Sequence, residues 1–557
     1  MLTSLLALTS TAILVYHFII HPLFLSPLRR IPAPHWSCHI SSFWVQQRRR
    51  TGREIRSVHA AHVALGPVLR LAPNELSINS VKGGLSKVYA GGWEKDGWYE
   101  FFANYGVPPM FATPASKPHS ARKRMISNIY SKSTIQSSPS LRAATAVILH
   151  DRLLPLLSSL TADDSSSNSD DAASSNPSKP SPPTSIYPLI SGLTMDFVTS
   201  YIFGLASGTN FTQDAETRAK FLHWYKCRHG YAFWPQEYPG FTQWVKKRLG
   251  IRLSPAFVDQ ANSDIENMTW SMCEKAASVL TQGDEKELAA KKPEAFPAVY
   301  GQLRSTLGKV ASKQPGGAAP CEQSELRVAM ASEVLDHLAA GFDTSGITLV
   351  YLVHELSQRA DLQSALRAEL LSLSTPLVSG SAPELPSAKE LDALPLLQAI
   401  LMETLRLHAA IPGLQPRSSP AGASLGPPGH EYTDLPAGVR VASQAWTLHR
   451  NEEVFPSAEQ WKPERWLDGK GGLLTAESED GGERYREMMR WFWAFGSGGR
   501  MCIGSHLAIY QMKFIVAAIY SNYETGVVSD DGIQQSDAYT APPVSDEPLI
   551  VTFRRAR

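Results

Sequence analysis

The segment FGSGGRMCIG, residues 495–504, places a cysteine inside a glycine-rich loop that runs directly into an apolar, helix-like stretch. Glycine accepts left-handed backbone angles and lets a bulky group approach the main chain. The start of a helix and the nearby Arg500 both favour the thiolate form of Cys502. We therefore expect a cysteine presented to one open face as a nucleophile or metal ligand. A structural cysteine in a glycine turn is the alternative.

The other cysteines and the overall charge exclude several classes of protein. The chain has five cysteines, which lie far apart and include no CxxC pair, so a disulfide framework or a structural zinc site is not expected. Lysine and arginine total 53 against 52 aspartates and glutamates, a formal charge of +1. This balance gives no reason to expect a nucleic-acid partner.

The first 25 residues predict a transmembrane anchor. They are almost uncharged over a length sufficient to span a bilayer. Because basic residues follow this run and none precedes it, we expect a cytosolic body behind a single-pass anchor. A cleaved signal peptide is the alternative, but neither a basic start nor a clear cleavage site is present. The basic residues are Arg29, Arg30, Arg48, Arg49, Arg50 and Arg53.

The rest of the chain is predicted to be mainly α with a minor β region. Residues 26–40 contain the sequence IPAP, which predicts a stiff, proline-rich hinge. We expect residues 41–557 to form one domain, interrupted by a disordered insertion at 161–184 that is almost pure Ser, Asp, Asn and Pro. A last helix is predicted over about 505–521.

The loop pattern FxxGxRxCxG resembles the heme-binding loop of the cytochrome P450 family, and the resemblance extends over essentially the whole chain. It implies the fold of that family, with heme b held between a long central helix and the cysteine loop with its last helix. It also implies that the Cys502 thiolate is the axial ligand of the heme iron. The five pattern positions are Phe495, Gly498, Arg500, Cys502 and Gly504.

The sequence AGFDT, residues 340–344, resembles the oxygen-activation motif of the family's central helix. The resemblance implies that Asp343 and Thr344 deliver protons, and an acid beside an alcohol suits that chemistry. The Thr344 hydroxyl can bond dioxygen or its own helix backbone. Ala340 and Gly341 would border the heme, where the missing side chain of Gly341 could let a ligand pack. Alone, the motif would read as a packing glycine beside a solvated aspartate.

Two further motifs are similar to the structural charge network of the family. ETLR places Glu403 and Arg406 on one helix face, and PERW supplies Arg465. The resemblance implies that these three residues hold the heme-side core and take no part in chemistry. Without it, an i, i+3 pair of this kind is usually a solvated surface pair.

The basic segment KPHSARKRMISNIYSKS, residues 117–133, resembles the helix that supplies cations to the heme propionates. Ser120 stands where the family has a tryptophan, if Arg124 is the matching arginine. Arg124 is our first choice, although Arg122 or Lys123 could take the role, with His119 nearby. Arg417 and Arg500 are the other two expected partners, because buried carboxylates favour charge-assisted hydrogen bonds.

The resemblance implies a monooxygenase that inserts one oxygen atom from O2 into an apolar organic molecule by hydroxylation, epoxidation or desaturation. Electrons would come from NADPH through a cytochrome P450 reductase in the endoplasmic reticulum membrane, with cytochrome b5 as a second candidate donor. The overall sequence is similar to filamentous-fungal members that tailor secondary metabolites. Fatty-acid or xenobiotic hydroxylation stays open, and the substrate cannot be named.

Rival functions lead to different expectations. A heme-thiolate isomerase or dehydratase would use neither O2 nor a reductase, and such relatives often lose the acid–alcohol pair. A heme sensor or carrier would turn over no substrate. A cysteine hydrolase would need a base such as His506, four residues after Cys502, yet no constellation that stabilises an oxyanion is evident.

Overall fold

Helices make up most of the chain and the strands are few and short, so the predicted fold class is confirmed. The computed structural model describes residues 2–161, 180–282, 284–311, 320–380 and 383–556. Most of the predicted insertion, residues 162–179, lies outside the described residues. The helices are α1 Leu2–Val15, α2 Phe43–Arg50, α3 Glu54–Leu65, α4 Ser116–Ile126, α5 Lys132–Ser137, α6 Pro139–Ala146, α7 Leu154–Thr161, α8 Ile186–Phe203, α9 Ala215–Gly230, α10 Phe233–Glu237, α11 Pro239–Leu249, α12 Ala256–Thr281, α13 Glu285–Lys291, α14 Ala298–Ala311, α15 Pro320–Ser357, α16 Ala360–Leu371, α17 Ala388–Ala393, α18 Pro395–Leu407, α19 Ala445–Leu448, α20 Gly482–Trp491 and α21 Ser505–Tyr520.

Within the described residues, the strands form three small sheets. The largest has the order β1-β2-β7-β4, in which β2 and β7 are parallel and the other neighbours are antiparallel. A second sheet, β3-β9-β8, and the pair β5-β6 are antiparallel throughout. The strands are β1 Val68–Ala72, β2 Glu75–Ile78, β3 Thr184–Ser185, β4 Arg417–Ser418, β5 Ala423–Leu425, β6 Tyr432–Leu435, β7 Arg440–Ala442, β8 Tyr523–Ser529 and β9 Ile550–Arg555.

The N-terminal helix is a candidate membrane anchor. α1 continues as a wider, π-type helix over Tyr16–Leu25. The run Thr3–Leu25 has a mean hydropathy of 1.7, and Pro22 is its only buried residue. Pro139–Thr161 and Ile186–Phe203 are also long and apolar enough to span a membrane, but they are 44% and 89% buried. Thr3–Leu25 is therefore the candidate that exposes its apolar surface.

The segment after the anchor packs on the body. Leu28 and Ile31 are each 1% exposed and belong to the core beside the largest sheet. The backbone N–H of Arg70 in β1 donates to the Pro32 carbonyl at 2.7 Å. Residues 26–40, predicted as a stiff connector, thus lie against the sheet.

α15 and α21 form the centre of the molecule. α15 is 38 residues long and packs against α8, α12, α14, α18 and α21. α21 is apolar around most of its circumference, and nearly all of its residues are buried. A helix of that composition is stable only inside a core. The cysteine loop precedes α21 directly, so it lies at the N-terminal end of this buried helix.

Candidate active site

The cysteine loop is shaped by glycine. Gly498 has a φ of 70°, and a Cβ there would lie 2.2 Å from the Tyr89 carbonyl oxygen. Only glycine fits a left-handed residue at such close approach. The Cys502 N–H donates to the Phe495 carbonyl at 3.0 Å, which closes the loop. Gly504 is the N-cap of α21, so the cysteine lies at the helix entrance as predicted.

Two cations tie the loop to neighbouring elements. The Lys123 Nζ of α4 donates to the carbonyls of Gly499 and Met501 at 3.0 and 3.1 Å. The Arg500 guanidinium donates to the Thr113 and Pro114 carbonyls at 2.7 and 2.5 Å. These bonds fix the direction in which Cys502 points.

The Cys502 side chain is accessible to solvent, yet burial in the surrounding protein raises the pKa of its thiol. From this combination we infer that the sulfur faces a recess in the protein, which we call the cavity. The N–H groups of Gly504 and Ser505 and the Lys123 charge act in the opposite direction and lower this pKa. These groups favour a thiolate and offset part of the effect of burial, which is the larger and leaves the pKa raised.

One stripe of α15 faces this cavity. Between Met330 and Val353 the helix is buried except at Asp336, Ala339, Ala340, Gly341 and Thr344. Asp336, Ala340 and Thr344 are spaced by four, so they lie on one helix face. Because α15 runs through the core, we infer that this accessible face borders the same cavity as Cys502. Burial raises the pKa of Tyr130, and the charges of Cys502 and Asp336 raise it further, so both residues lie near Tyr130.

Asp343 and Thr344 point in different directions. The Thr344 hydroxyl donates to the Ala340 carbonyl at 2.8 Å, the back-bonded arrangement that the sequence left open. Asp343 is only 4% exposed and accepts a hydrogen bond from the Tyr225 hydroxyl of α9 at 3.1 Å. Burial raises the pKa of the Asp343 carboxyl to about 6, and hydrogen bonds from Thr540 and Tyr225 lower it.

Gly341 serves helix packing. A Cβ at this position would lie 2.8 Å from the Val198 Cγ2 of α8. The space that the sequence suggested for a ligand is therefore taken by Val198. Ala340, one residue earlier, is the more exposed of the two toward the cavity.

Cationic side chains cluster beside the cavity. Arg417 and Lys95 pair through a backbone bridge and are 5% and 6% exposed, and His119 is 5% exposed. Burial and the charges of Arg500 and Lys95 lower the pKa of His119 to about 3. Burial and Arg417 lower the pKa of Arg500 to about 10. The Lys95 pKa falls well below its usual value for the same two reasons, burial and then Arg417.

This cluster fits a dianionic cofactor. Within the described residues, Lys95, Arg417 and Arg500 form no ion pair with a carboxylate, and Arg417 Nε is buried without a hydrogen-bond partner. Buried cations are costly unless an anion pairs with them. The two propionates of heme would supply that charge, at the edge of a cavity whose wall contains a cysteine.

The structure corrects the first choice of cation on α4. Arg124 is exposed and its Nε donates to the Ser120 carbonyl of its own helix. Arg122 donates to the Pro108 carbonyl and lies 3.6 Å from Glu333. His119 and Lys123 are four residues apart and face the cysteine loop, while Arg124 lies about 100° around the helix.

The predicted charge network is present. The Arg406 Nε and Nη2 donate to Glu403 at 2.9 and 2.7 Å, and the Arg465 Nε donates to Glu403 at 2.9 Å. Glu403 and Arg406 are 0% exposed. Burial alone would raise the pKa of Glu403, but Arg406 and Arg465 hold it below its usual range. The Trp466 indole and the Lys462 backbone N–H also donate to this carboxylate.

Sequence reasoning missed Lys95, Asp336 and Tyr225. Lys95 lies in an aromatic segment and its neighbour Arg417 is distant in sequence, so no local pattern connects them. Asp336 could have been found from its helical spacing, because it precedes Ala340 by four residues and Thr344 by eight.

Comparisons with known proteins agree with this geometry. Residues 313–548 match the family model Cytochrome P450. The chain is 28% identical to the cytochrome P450 monooxygenase avaI of Aspergillus versicolor, over 80% of this chain and 92% of that protein. It is 25% identical to the cytochrome P450 monooxygenase macH of Penicillium terrestre, over 97% of this chain and 96% of that protein. It is 24% identical to the Tryprostatin B 6-hydroxylase of Aspergillus fumigatus, over 98% of this chain and 83% of that protein.

The matched region contains the central helix, the charge network and the cysteine loop, and several of the similar proteins align over most of their length. These proteins come from filamentous fungi and are oxidoreductases by name, and the family implies a heme iron held by a cysteine thiolate. Residues 313–548 therefore belong to the cytochrome P450 family, and the chain is similar over most of its length to cytochrome P450 monooxygenases of filamentous fungi.

Proposed function

We propose that this enzyme oxidises a small apolar molecule by hydroxylation, epoxidation or desaturation, as a tailoring step in fungal secondary metabolism. The observation that carries the proposal is an accessible stripe of α15, at Asp336, Ala340 and Thr344, in a part of the core that also holds the accessible Cys502. Similarity to a protein named as a hydroxylase supports the hydroxylation reaction.

Cys502 would hold the heme iron, and the buried cations would bind its propionates. Arg417, with its unpartnered Nε, and Lys95 are the strongest candidates, joined by Arg500, while His119 would contribute as a neutral imidazole because its pKa is lowered to about 3. Phe495 and Gly498 keep the loop in the shape that presents the sulfur. Glu403, Arg406 and Arg465 hold the chain segment before the loop and act on structure alone.

Bound heme supplies the activation of dioxygen, using electrons delivered one at a time. The chain has to provide protons at the cavity wall. The Thr344 hydroxyl lies on the accessible face, and a rotation about its χ1 releases it from the Ala340 carbonyl. The Asp343 carboxyl is the nearest acid along the helix, and its raised pKa makes it a proton store near neutral pH.

The N-terminal anchor suggests in which membrane the enzyme lies and which proteins supply its electrons. Thr3–Leu25 would hold the enzyme in the endoplasmic reticulum membrane with its catalytic domain in the cytosol. An NADPH-dependent reductase in the same membrane, with cytochrome b5 as a second donor, would then reach the enzyme by diffusion in two dimensions.

Isotope labelling tests the reaction. The purified enzyme is combined with reductase and NADPH, and apolar compounds that shift its heme spectrum are incubated under 18O2. Incorporation of one 18O atom into the product, or a desaturated product that forms only with O2 and NADPH, supports the proposal. Turnover that proceeds without O2 and NADPH would show an isomerase or dehydratase in its place.

The Thr344→Ala variant tests proton delivery under the same conditions. We expect it to retain heme but to divert NADPH electrons to hydrogen peroxide, because the cavity wall loses its hydroxyl. Full coupling of NADPH consumption to product in this variant would remove Thr344 from the mechanism.

A further inference from the structure

We propose that Asp336 is a substrate-recognition residue that selects molecules carrying a basic nitrogen, which is a cation at neutral pH. The inference rests on the proposed function, because it places the ligand in the cavity between α15 and Cys502. It adds a substrate class to that site: an apolar molecule with one positively charged end.

The position of Asp336 gives it access to the cavity. It precedes Ala340 by one helical turn and Thr344 by two, on the accessible stripe of α15. Both residues that precede it, Val334 and Leu335, and both that follow, His337 and Leu338, are buried. The carboxylate is therefore the charged end of a stripe whose other members are small or neutral.

Asp336 has no partner of its own. Within the described residues it makes no hydrogen bond and no ion pair, whereas the nearby Glu333 accepts from the Met110 N–H at 2.9 Å and pairs with Arg122. An enclosed carboxylate without a partner is unfavourable, so a group that brings a positive charge gains by binding there.

The cations near Asp336 do not pair with it, so a ligand can supply the missing positive charge. Burial and Glu333 raise the pKa of Asp336 to about 7, while His337, Lys95 and Arg228 lower it from a distance. The Lys95 Nζ donates to the Phe111 carbonyl at 2.6 Å, and Arg228 donates to the Asn104 side chain at 2.8 Å. Each of these cations therefore has another acceptor. A ligand cation that reached Asp336 would keep the carboxylate ionised.

The geometry also defines where oxidation would occur. A ligand nitrogen at Asp336 lies two turns of α15 from Thr344, which is about 12 Å along a helix. The apolar remainder of the molecule would extend past Ala340 toward the Thr344 end of the cavity. The oxidised carbon is then remote from the nitrogen, and the nitrogen itself is not the atom attacked.

Three probes of matched shape test the charge preference. They are the (4-phenylbutyl)trimethylammonium ion, its neutral carbon isostere 2,2-dimethyl-6-phenylhexane, and the anion 5-phenylpentanoate. A quaternary nitrogen cannot coordinate iron, so its binding reports the cavity alone. Dissociation constants are measured by optical titration of the heme-loaded enzyme, for the wild type, Asp336→Asn and Asp336→Glu. Asp361→Asn is the control, because Asp361 is a surface carboxylate on α16 with 66% side-chain exposure.

In Asp336→Asn we expect the ratio of the cation's dissociation constant to that of the neutral probe to rise by about 10-fold or more, the effect of a charge-assisted contact. Asp336→Glu and Asp361→Asn should keep the wild-type ratio within about threefold. An unchanged ratio in Asp336→Asn overturns the inference.

The wild type provides a second test that needs no variant. It should bind the cation at least about tenfold more tightly than the anion. Equal or tighter binding of the anion overturns the inference even if Asp336→Asn fails to fold. The two proposals fail separately: absence of a thiolate-type heme spectrum in the wild type contradicts the proposed function, while an intact spectrum without charge preference contradicts only the role of Asp336.

Discussion

Burial shifts the pKa of ionisable side chains at this site, and Asp343 illustrates what such a shift does to folding stability. Its carboxyl is 4% exposed, and burial raises its pKa from 3.8 to about 6. Between these two values the folded protein binds a proton that the unfolded chain releases. Folding stability due to this group is therefore greatest below about pH 4 and declines as the pH rises through about 6.

This sign leads to a pH-dependent prediction for Asp343→Asn, which cannot ionise. Relative to the wild type, the variant should gain about 2–3 kcal/mol of unfolding free energy as the pH rises from about 4 to 7. Thermal unfolding of the heme-loaded proteins across this range measures the difference. Asp361→Asn should show no such trend over this range, because Arg359 lowers the pKa of Asp361 and its contribution to stability changes only below about pH 4. A difference between Asp343→Asn and the wild type that does not vary with pH would contradict the buried, pKa-shifted carboxyl.

The residue scale also shows where sequence reasoning reached its limit. The pattern around Cys502 predicted the loop, its position before α21 and its cations, because those features depend on neighbours in the chain. Which side of α4 meets the loop depends on the rotation of the whole helix. A rotation of about 100° separates Lys123 from Arg124, and no residue inside the segment determines it.

At the scale of elements, α18 and the PERW turn are joined by one buried carboxylate. Replacing Glu403 by Gln would leave the Arg406 guanidinium buried without its counter-charge, which costs about 3–5 kcal/mol. We therefore expect Glu403→Gln to yield little heme-loaded protein, with a markedly lower unfolding midpoint. The measurement is the heme content of the purified variant together with its thermal unfolding curve.

The chain contains a matched control for this prediction. Glu483 and Arg486 have the same i, i+3 spacing on α20, but their side chains are 72% and 46% exposed. Glu483→Gln should change stability by no more than about 0.5 kcal/mol. If the two substitutions lowered stability equally, burial would not determine how much the Glu403–Arg406 pair contributes to stability.

A second element, α10, is held by an ionic contact to the N-terminal part of the body. The Glu237 carboxylate pairs with Arg49 of α2 at 3.0 Å and accepts from the Trp98 indole at 2.7 Å. Arg49 also pairs with Glu75 of β2 and with Glu54. Both Glu237 and Arg49 are nearly buried, at 7% and 6% side-chain exposure. This contact fixes the segment between α9 and α12 against the sheet.

Glu237→Gln should release that segment. We expect amide hydrogen exchange over residues 231–250 to accelerate by roughly 100-fold, because α10 loses its charged contacts to Arg49 and Arg440, which keep their other carboxylate partners. Lys226→Ala, which breaks an exposed pair with Asp546, is the control and should leave exchange unchanged. Protection of residues 231–250 that survives Glu237→Gln would mean that aromatic packing holds α10 without the ion pair.

At the scale of the whole molecule, the anchor ends where the core begins. Residues up to Leu25 are mostly exposed, whereas Leu28 and Ile31 are buried beside the sheet. A chain that starts at Ser26 should therefore fold, bind heme and lose membrane association. A chain that starts at Ser41 should be less stable by several kcal/mol, since each lost core side chain contributes about 1.5–3 kcal/mol.

Heme content, thermal unfolding and membrane sedimentation of the two truncated chains measure this difference. Equal stability of both would contradict the docking of residues 26–40. Persistent membrane binding of the chain that starts at Ser26 would show that another surface supports the anchor.

The overall architecture was predictable because its signals are strong and local. The apolar N-terminal run, the strand pair around residues 68–78 and the helix after Cys502 each follow from hydrophobic pattern and turn residues. The family resemblance then supplied the order of the motifs along the chain. The cation cluster was predicted in part: Arg417 and Arg500 were expected, while Lys95 joins them through a backbone bridge to Arg417, which is distant in the sequence.

The central claim is that Cys502 is the thiolate ligand of a heme held between α15 and the loop before α21. The most direct measurement is the optical difference spectrum of the purified, reduced enzyme after addition of carbon monoxide. We predict a strongly red-shifted Soret band that is absent in Cys502→Ala. A band at the ordinary position of a histidine-ligated heme, or no heme band at all, would contradict the assignment of Cys502.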